Sequence, residues 1–91
     1  MNSTNWKIEF HPYAQDQLLQ IDKTQRQRIT KYIRERLTSH PNPVVLSSPV
    51  VGDYKGLSRF RVGDYRLLAV INEIDKIITI SDIGHRREIY K

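Results

Sequence analysis

The chain has 91 residues, and its 15 lysines and arginines outweigh 10 acidic residues, which gives a formal net charge of +5. A chain of this length buries only about two-thirds of its unfolded surface, which excludes a Rossmann domain with a second lobe, a TIM barrel or a large enclosed cofactor cavity. It contains no cysteine, so disulfides, thiolate metal ligands and a cysteine nucleophile are excluded. We therefore predict one domain over residues 1–91, with a basic surface that favours an anionic partner.

No stretch of the sequence approaches the 18 or so apolar residues that a membrane-spanning helix needs. Met1 is followed by four polar residues, and this stretch contains no signal-peptide core. We expect a cytoplasmic protein that makes no membrane contact.

The first half of the sequence predicts a strand followed by two helices. Apolar and polar residues alternate from Trp6 to Phe10, which is the period of a half-buried strand. Pro12 suits the first turn of a short amphipathic helix. Thr24 and Gln27 match a capping box, which predicts that a second helix starts there. This helix should end before Pro41, because the residue preceding a proline disfavours helical geometry.

The second half predicts a loop and an antiparallel meander. Residues 40–56 hold three of the four prolines and are expected to form a long loop within the domain. Three strands are predicted, at Leu57–Val62, Arg66–Asn72 and Lys76–Ile83, the first two joined by a tight turn at Gly63-Asp64. The middle strand is apolar on both faces and should lie at the centre of the sheet. The order β-α-α-β-β-β predicts a two-layer α+β fold.

Three arginines are predicted to share one face of the first hairpin. A two-residue turn places Arg61 opposite Arg66, with Arg59 two residues along the same strand. Like charges that oppose each other across a ladder destabilise it by up to about 1 kcal/mol. The cluster therefore indicates a bound anion, and the planar guanidinium group suits phosphate. The alternative is an ordinary solvated sheet face.

The second predicted helix carries a basic face. It comprises Arg26, Arg28, Lys31, Arg34 and Arg36. The simpler interpretation is a solvated helix surface. The alternative is contact with a nucleic-acid backbone.

The C-terminal segment contains a compact set of reactive groups. After Gly84, which is expected to turn the chain away from the sheet, an imidazole, two arginines and a phenol occur within six residues. The sequence contains no motif for a metal or cofactor site, no glycine-rich phosphate loop and no serine triad. The side chains that remain are those of Arg, Lys, His and Tyr. They suit cleavage of a phosphodiester by its neighbouring 2′-hydroxyl, since that reaction needs a base, positive charge at the phosphate and an acid.

Several segments together resemble the RelE/ParE toxin superfamily over nearly the whole chain. They are Trp6-Lys-Ile-Glu-Phe, Pro12 with Ala14 and Leu18, Tyr54 to Arg66, and Ile83-Gly-His-Arg-Arg-Glu-Ile-Tyr90. The resemblance implies a RelE-like fold and a toxin of a type II toxin–antitoxin pair. RelE-like members cleave mRNA in the ribosomal A site, whereas ParE-like members share the fold and poison DNA gyrase. The implied partners are a cognate antitoxin, the ribosome and mRNA, and operator DNA for the antitoxin complex.

The resemblance also implies roles for individual residues. Arg59 would bind phosphate, together with Lys55, and Arg61 and Arg66 would stabilise transition-state charge. Arg86 would lie on the leaving-group side, and Tyr90 would stack on or orient a base. Arg26 and Lys31 are added as candidate RNA-binding residues of the basic helix.

The general base is less clear from the resemblance. RelE-like sites use lysines where this chain has Arg59 and Arg61, and an arginine practically cannot lose its proton. Imidazole ordinarily titrates near about pH 6.5, so His85 is the predicted base. Lys55 and a deprotonated Tyr90 are poorer candidates, and a purely electrostatic nuclease is a further possibility.

These observations predict a metal-independent endoribonuclease that requires no cofactor. The main alternative is a ParE-like gyrase inhibitor without nuclease activity. A basic nucleic-acid-binding module is the third interpretation.

Overall fold

A computed structural model describes residues 6–50, 52 and 56–90 of the chain. The elements are β1 (Lys7–Phe10), α1 (Pro12–Gln20), α2 (Lys23–Tyr32), a π-helical turn (Ile33–Leu37), a 3-10 turn (Pro43–Leu46), β2 (Ser48–Pro49), β3 (Ser58–Val62), β4 (Tyr65–Asn72) and β5 (Ile77–His85). The predicted α+β order is confirmed, with one addition. The short strand β2 forms within the segment that was predicted to be a loop.

The five strands form one mixed sheet in the order β1-β5-β4-β3-β2. β1 runs parallel to β5, and the other neighbours are antiparallel. β4 lies at the centre, as its two apolar faces predict. Within the described residues, no helix is long and apolar enough to cross a membrane.

The two helices cover one face of this sheet. Ala14 from α1 and Ile29 from α2 are fully buried in the same cluster as Phe60, Leu67 and Ile80 from the strands. Burial of these apolar side chains is the main stabilising contribution to the two-layer arrangement. The helices do not cover the opposite face of the sheet.

The helix starts differ in part from the expectation. α1 begins at Pro12, as predicted, and His11 Nδ1 accepts a hydrogen bond from the Tyr13 amide at 3.1 Å. α2 begins before Thr24, because Asp22 is the N-cap and its carboxylate accepts from the Gln25 amide at 3.3 Å. A carboxylate at this position is at least as good a cap as a threonine hydroxyl, and its charge also suits the helix N-terminus.

The end of β5 is also different from the prediction. Gly84 does not turn the chain away from the sheet, since it pairs with Arg66 and the strand continues to His85, opposite Tyr65. The turn begins only at the following residue. The absence of a side chain at Gly84 instead leaves space for Ile89.

Candidate functional site

The arginine face consists of Arg59, Arg61 and Arg66 on the β3–β4 hairpin. The register pairs Arg61 with Arg66 and Arg59 with Leu68, as the two-residue turn predicts. Phe60 is fully buried on the helix side, and this burial fixes which residues of β3 project to the other face. The three guanidinium groups consequently share the face of the sheet that the helices leave open.

Arg66 is held in place by the hairpin turn. Its Nη1 donates to the carbonyl oxygens of Gly63 and Tyr65, at 3.0 Å and 2.9 Å. A guanidinium group has five N–H donors, so these two bonds orient the group while its Nε and Nη2 donors take no part in them. A charge oriented before a ligand arrives is what electrostatic catalysis requires.

Arg66 is influenced by the charges of its neighbours on the arginine face. Partial burial lowers the pKa of the Arg66 guanidinium, and the charges of Arg61, Arg59 and Arg86 lower it further, while Tyr90 acts in the opposite direction. Each of these four side chains is therefore near enough to Arg66 to influence its charge. A bound anion would relieve the repulsion among the guanidinium groups.

Arg59 has a donor that the described protein groups do not satisfy. Its Nη1 lies 3.4 Å from the Tyr90 hydroxyl. Its Nε is buried and has no hydrogen-bond partner in the described part of the chain. Leaving a buried donor unpaired costs about 1–3 kcal/mol, so an acceptor that reaches this atom would be strongly favoured.

The C-terminal turn folds back over the arginine face. The Arg86 amide donates to the Asp64 carbonyl at 2.8 Å, and Arg86 Nε lies 3.6 Å from the Asp64 carboxylate. A Cβ atom placed on Gly84 would lie 3.0 Å from Cδ1 of Ile89. Because Gly84 projects to the same face as its partner Arg66, Ile89 packs on this face and brings Tyr90 with it.

His85 is not brought to the arginine face. It pairs with Tyr65, and the two rings meet edge to face with centroids 5.6 Å apart. Its Nδ1 accepts from the Arg87 amide at 3.1 Å. Tyr65 packs against the core on the helix side, so the imidazole lies on the opposite side of the sheet from Arg66. This geometry does not support His85 as the general base.

Of the remaining predicted residues, Arg26 and Lys31 lie outside the arginine face. Lys55 lies outside the described residues. Arg26 Nη1 donates to the carbonyl oxygens of Leu19 and Ile21, both at 3.2 Å, and so holds the end of α1. Lys31 is exposed on α2, away from the sheet surface that carries the three arginines.

Three residues with a place in the site were not identified from the sequence. Asp64 anchors Arg86, and Gly84 makes room for Ile89. Asp82 pairs with Leu68 and shares its face, so it is a diagonal neighbour of Arg66 across the β4–β5 ladder. Diagonal neighbours lie about 7–8 Å apart, within reach of long side chains. In the sequence, the turn position of Asp64 and the alternation along β5 pointed to these residues. The partners of Gly84 and Asp82 could not be assigned, because the register of β5 against β4 is visible only in the structure.

The chain belongs to a toxin family that its fold and basic face already suggest. The family model described as the ParE toxin of type II toxin–antitoxin systems, parDE, matches residues 8–90. The protein is therefore a type II toxin–antitoxin toxin of the RelE/ParE superfamily. No curated protein matches the sequence.

Solved structures share this fold over nearly their whole length. The toxin–antitoxin complex RelBE2 from Mycobacterium tuberculosis matches with a TM-score of 0.79 and 21% identity, covering 89% of this chain and 98% of that one. The archaeal RelE–RelB complex from Pyrococcus horikoshii OT3 matches with a TM-score of 0.68 and 26% identity, covering 91% and 97%. The intact RelBE complex from E. coli has a TM-score of 0.64 and 16% identity, covering 88% and 95%. These similarities confirm the RelE-like fold.

Proposed function

We propose that this toxin is a ribosome-dependent endoribonuclease that cleaves mRNA in the ribosomal A site, in the cytoplasm, with its own side chains. The observation that carries the proposal is the convergence of Arg59, Arg61, Arg66, Arg86 and Tyr90 on one sheet face. The fold that the chain shares with solved RelE complexes supports the same activity.

The reaction is an internal transesterification. The 2′-hydroxyl oxygen attacks the adjacent phosphorus, and its proton passes to a base. The bond from phosphorus to the 5′-oxygen breaks, and this oxygen takes up a proton from water as it leaves. The products carry a 2′,3′-cyclic phosphate and a 5′-hydroxyl. Negative charge accumulates on the phosphoryl oxygens, where Arg61 and Arg66 would stabilise it.

The other three residues, Arg59, Arg86 and Tyr90, have distinct roles in this proposal. Arg59 would bind the phosphate through its guanidinium group, and Arg86 would stabilise the departing 5′-oxygen. Tyr90, whose hydroxyl lies 3.4 Å from Arg59 Nη1, would stack on or orient a base.

Asp82 replaces His85 as the proposed proton acceptor. It is an acidic side chain on the strand next to Arg66 and shares the face of that arginine. A carboxylate can accept a proton from a correctly placed hydroxyl.

The open form of the site explains the need for the ribosome. The arginine face is a sheet surface bordered by the C-terminal turn rather than an enclosed cavity. Such a surface does not exclude water or position a flexible strand by itself, and both contribute to catalysis. We propose that the ribosome supplies these two functions by presenting mRNA to the face.

The same face is the proposed binding site for the antitoxin. An acidic antitoxin segment that covers Arg59, Arg61 and Arg66 would neutralise them and block the substrate. The resulting complex would bind operator DNA.

Cell-free translation followed by primer extension on the message tests the nuclease. We expect codon-positioned cleavage by the wild-type protein and its loss in the Arg66→Ala, Tyr90→Phe double variant. Arg34→Ala removes one exposed arginine from the helical layer and should cleave normally. Absence of cleavage by the wild-type protein, or equal cleavage by the double variant, would contradict the proposal.

Inhibition of DNA gyrase is the second candidate function, because the family model that matches the chain is that of the ParE toxin. In this case the basic face would bind its target without catalysis. A supercoiling assay with purified gyrase discriminates the two. Gyrase inhibition together with intact message would establish the second function and exclude the first.

A further inference from the structure

A second cationic surface lies on the helical side of the hairpin. A groove of about 440 Å³ lies between two parts of the fold. One side is the helical segment formed by α2 and the π-helical turn, and the other side is the tip of the β3–β4 hairpin. It is lined by the cationic residues Arg28, Lys31, Arg36 and Arg61 and by the acid Glu35. Four cations against one acid make this helix–hairpin groove strongly electropositive.

Arg28 is packed against the hairpin tip. A Cβ atom placed on Gly63 would lie only 2.7 Å from Nη1 of Arg28. Gly63 also has a φ of 60°, so both its backbone conformation and this close approach favour glycine. The contact brings a guanidinium group of the helical layer to the turn that leads into the arginine face.

Arg36 is held at the other end of the groove. Its guanidinium carbon lies 5.9 Å from the centroid of the Tyr32 ring, within the range of a cation–π contact. Arg28 and Arg36 are eight residues apart, which corresponds to about 12 Å along a helix. Two arginine side chains that start from positions this far apart can contact different phosphates of one strand.

The basic run of the helical segment is therefore divided by role. Arg26 holds the carbonyl groups at the end of α1. Arg34 borders a different, mostly apolar depression with Ile8 and Phe10. Of the basic residues on this segment, three line the groove: Arg28, Lys31 and Arg36.

We propose that the helix–hairpin groove binds the phosphate backbone of an RNA strand that passes from the arginine face around the hairpin tip. Arg61 connects the two surfaces, since it belongs to the arginine face and also lines the groove. Three of the four cations are arginines, whose planar donor fork suits phosphate oxygens. The identity of the strand as RNA rests on the proposed nuclease function.

The test measures binding without cleavage. A fluorescein-labelled single-stranded RNA in which every 2′-hydroxyl is methylated cannot be cut by 2′-oxygen attack, and its Kd is measured by anisotropy over a NaCl series. For a single strand, each lost phosphate contact lowers the slope of log K against log salt by about 0.7. We expect this decrease, with several-fold weaker binding at low salt, for Arg28→Gln and for Arg36→Gln.

Arg34→Gln is the matched control, because it removes the same charge from the same helical segment outside the groove. It should retain the wild-type slope. Urea unfolding verifies that each variant is folded, and Lys31→Gln, an exposed member of the groove, provides a third variant if either arginine substitution unfolds the chain.

Three outcomes would overturn the proposal. One is that the wild-type protein does not bind the RNA. The second is that Arg34→Gln loses as much RNA affinity as the groove variants, which would indicate an effect of net charge alone. The third is an unchanged salt slope and RNA affinity in the groove variants. If these variants also lose binding to a glutamate-rich peptide, the groove is a protein-docking surface instead. Failure of the nuclease proposal would appear separately, as intact message in the cleavage assay.

Discussion

At the scale of single residues, the site depends on a few contacts that restrict long, flexible side chains. Arg66 is tied to two turn carbonyls, Arg86 to Asp64, and Arg59 to the Tyr90 hydroxyl. The ion pair of Arg86 is exposed and contributes little to stability. Its importance lies in positioning, because a guanidinium group that is already oriented loses less entropy when it binds a phosphate.

Replacing Gly84 should uncouple the C-terminal turn from the arginine face. A valine there places its Cβ 3.0 Å from Cδ1 of Ile89 and adds two methyl groups in the same space. We expect Ile89 and Tyr90 to be displaced, and the NOE between the Tyr90 ring and the Arg59 side chain to disappear. An unchanged NOE in Gly84→Val would show that the turn does not depend on this contact.

Asp82→Asn should lower the rate of cleavage by about 10²–10⁴-fold if Asp82 is the proton acceptor. The loss should appear in the single-turnover rate on programmed ribosomes, with the apparent affinity for the ribosome unchanged. A merely structural role would change both. His85→Ala is the comparison, and a larger loss in that variant would restore the imidazole as the base.

Tyr32 gives the stability of the protein a dependence on alkaline pH. Burial raises the pKa of Tyr32 above its ordinary value, and the nearby Arg36 partly opposes the shift. The unfolded chain releases this proton first, so the stabilising contribution is complete below about pH 10 and is lost as pH rises through the folded-state pKa. Urea titrations at increasing pH should show a shallower alkaline decline for Tyr32→Phe than for the wild type. Parallel curves would contradict this expectation.

At the scale of elements, caps and register decide where each functional side chain lies. The π-helical turn that follows α2 widens the helix, with the Thr38 amide donating to the Ile33 carbonyl at 3.0 Å. This turn carries Arg36 into the helix–hairpin groove. In β5, two residues (Ser81 and Asp82) oppose Leu68 at an irregularity in the ladder, which sets the faces of the residues that follow.

Asp22, rather than Thr24, should be the residue whose loss weakens α2. Asp22→Ala removes the side chain that accepts from the Gln25 amide and should cost about 1 kcal/mol in the free energy of unfolding. Thr24→Ala is the matched control and should change it by a few tenths of a kcal/mol at most. Urea denaturation measures both, and the reverse ranking would restore the capping box at Thr24.

At the scale of the whole molecule, two cationic surfaces meet at the hairpin tip. The arginine face lies on the open side of the sheet, and the helix–hairpin groove lies on the helical side. Their shared residue, Arg61, is exposed. An elongated polyanion can contact both surfaces, whereas a small anion can occupy only one of them.

The charge of the arginine face should govern the rate of association with an acidic antitoxin. Electrostatic steering raises on-rates, and salt screens it. We expect stopped-flow association of Arg59→Gln and Arg61→Gln to be slower than wild type at low salt, with the difference shrinking at high salt. A salt-independent rate for the wild type would contradict steering. Arg34→Gln again supplies the control for net charge alone.

The sequence by itself determined the α+β order, the central position of β4 and the pairing of Arg61 with Arg66. Each follows from local physics: alternation and apolar content identify strands, and a two-residue turn leaves little freedom in the register that follows it. The position of Asp82 and the side of the sheet on which His85 lies were decided by the tertiary structure. They depend on how far β5 extends along β4 and where its ladder becomes irregular, and local sequence does not encode that long-range pairing. The return of Tyr90 to Arg59 likewise requires the space above Gly84, which exists only once β4 and β5 are paired.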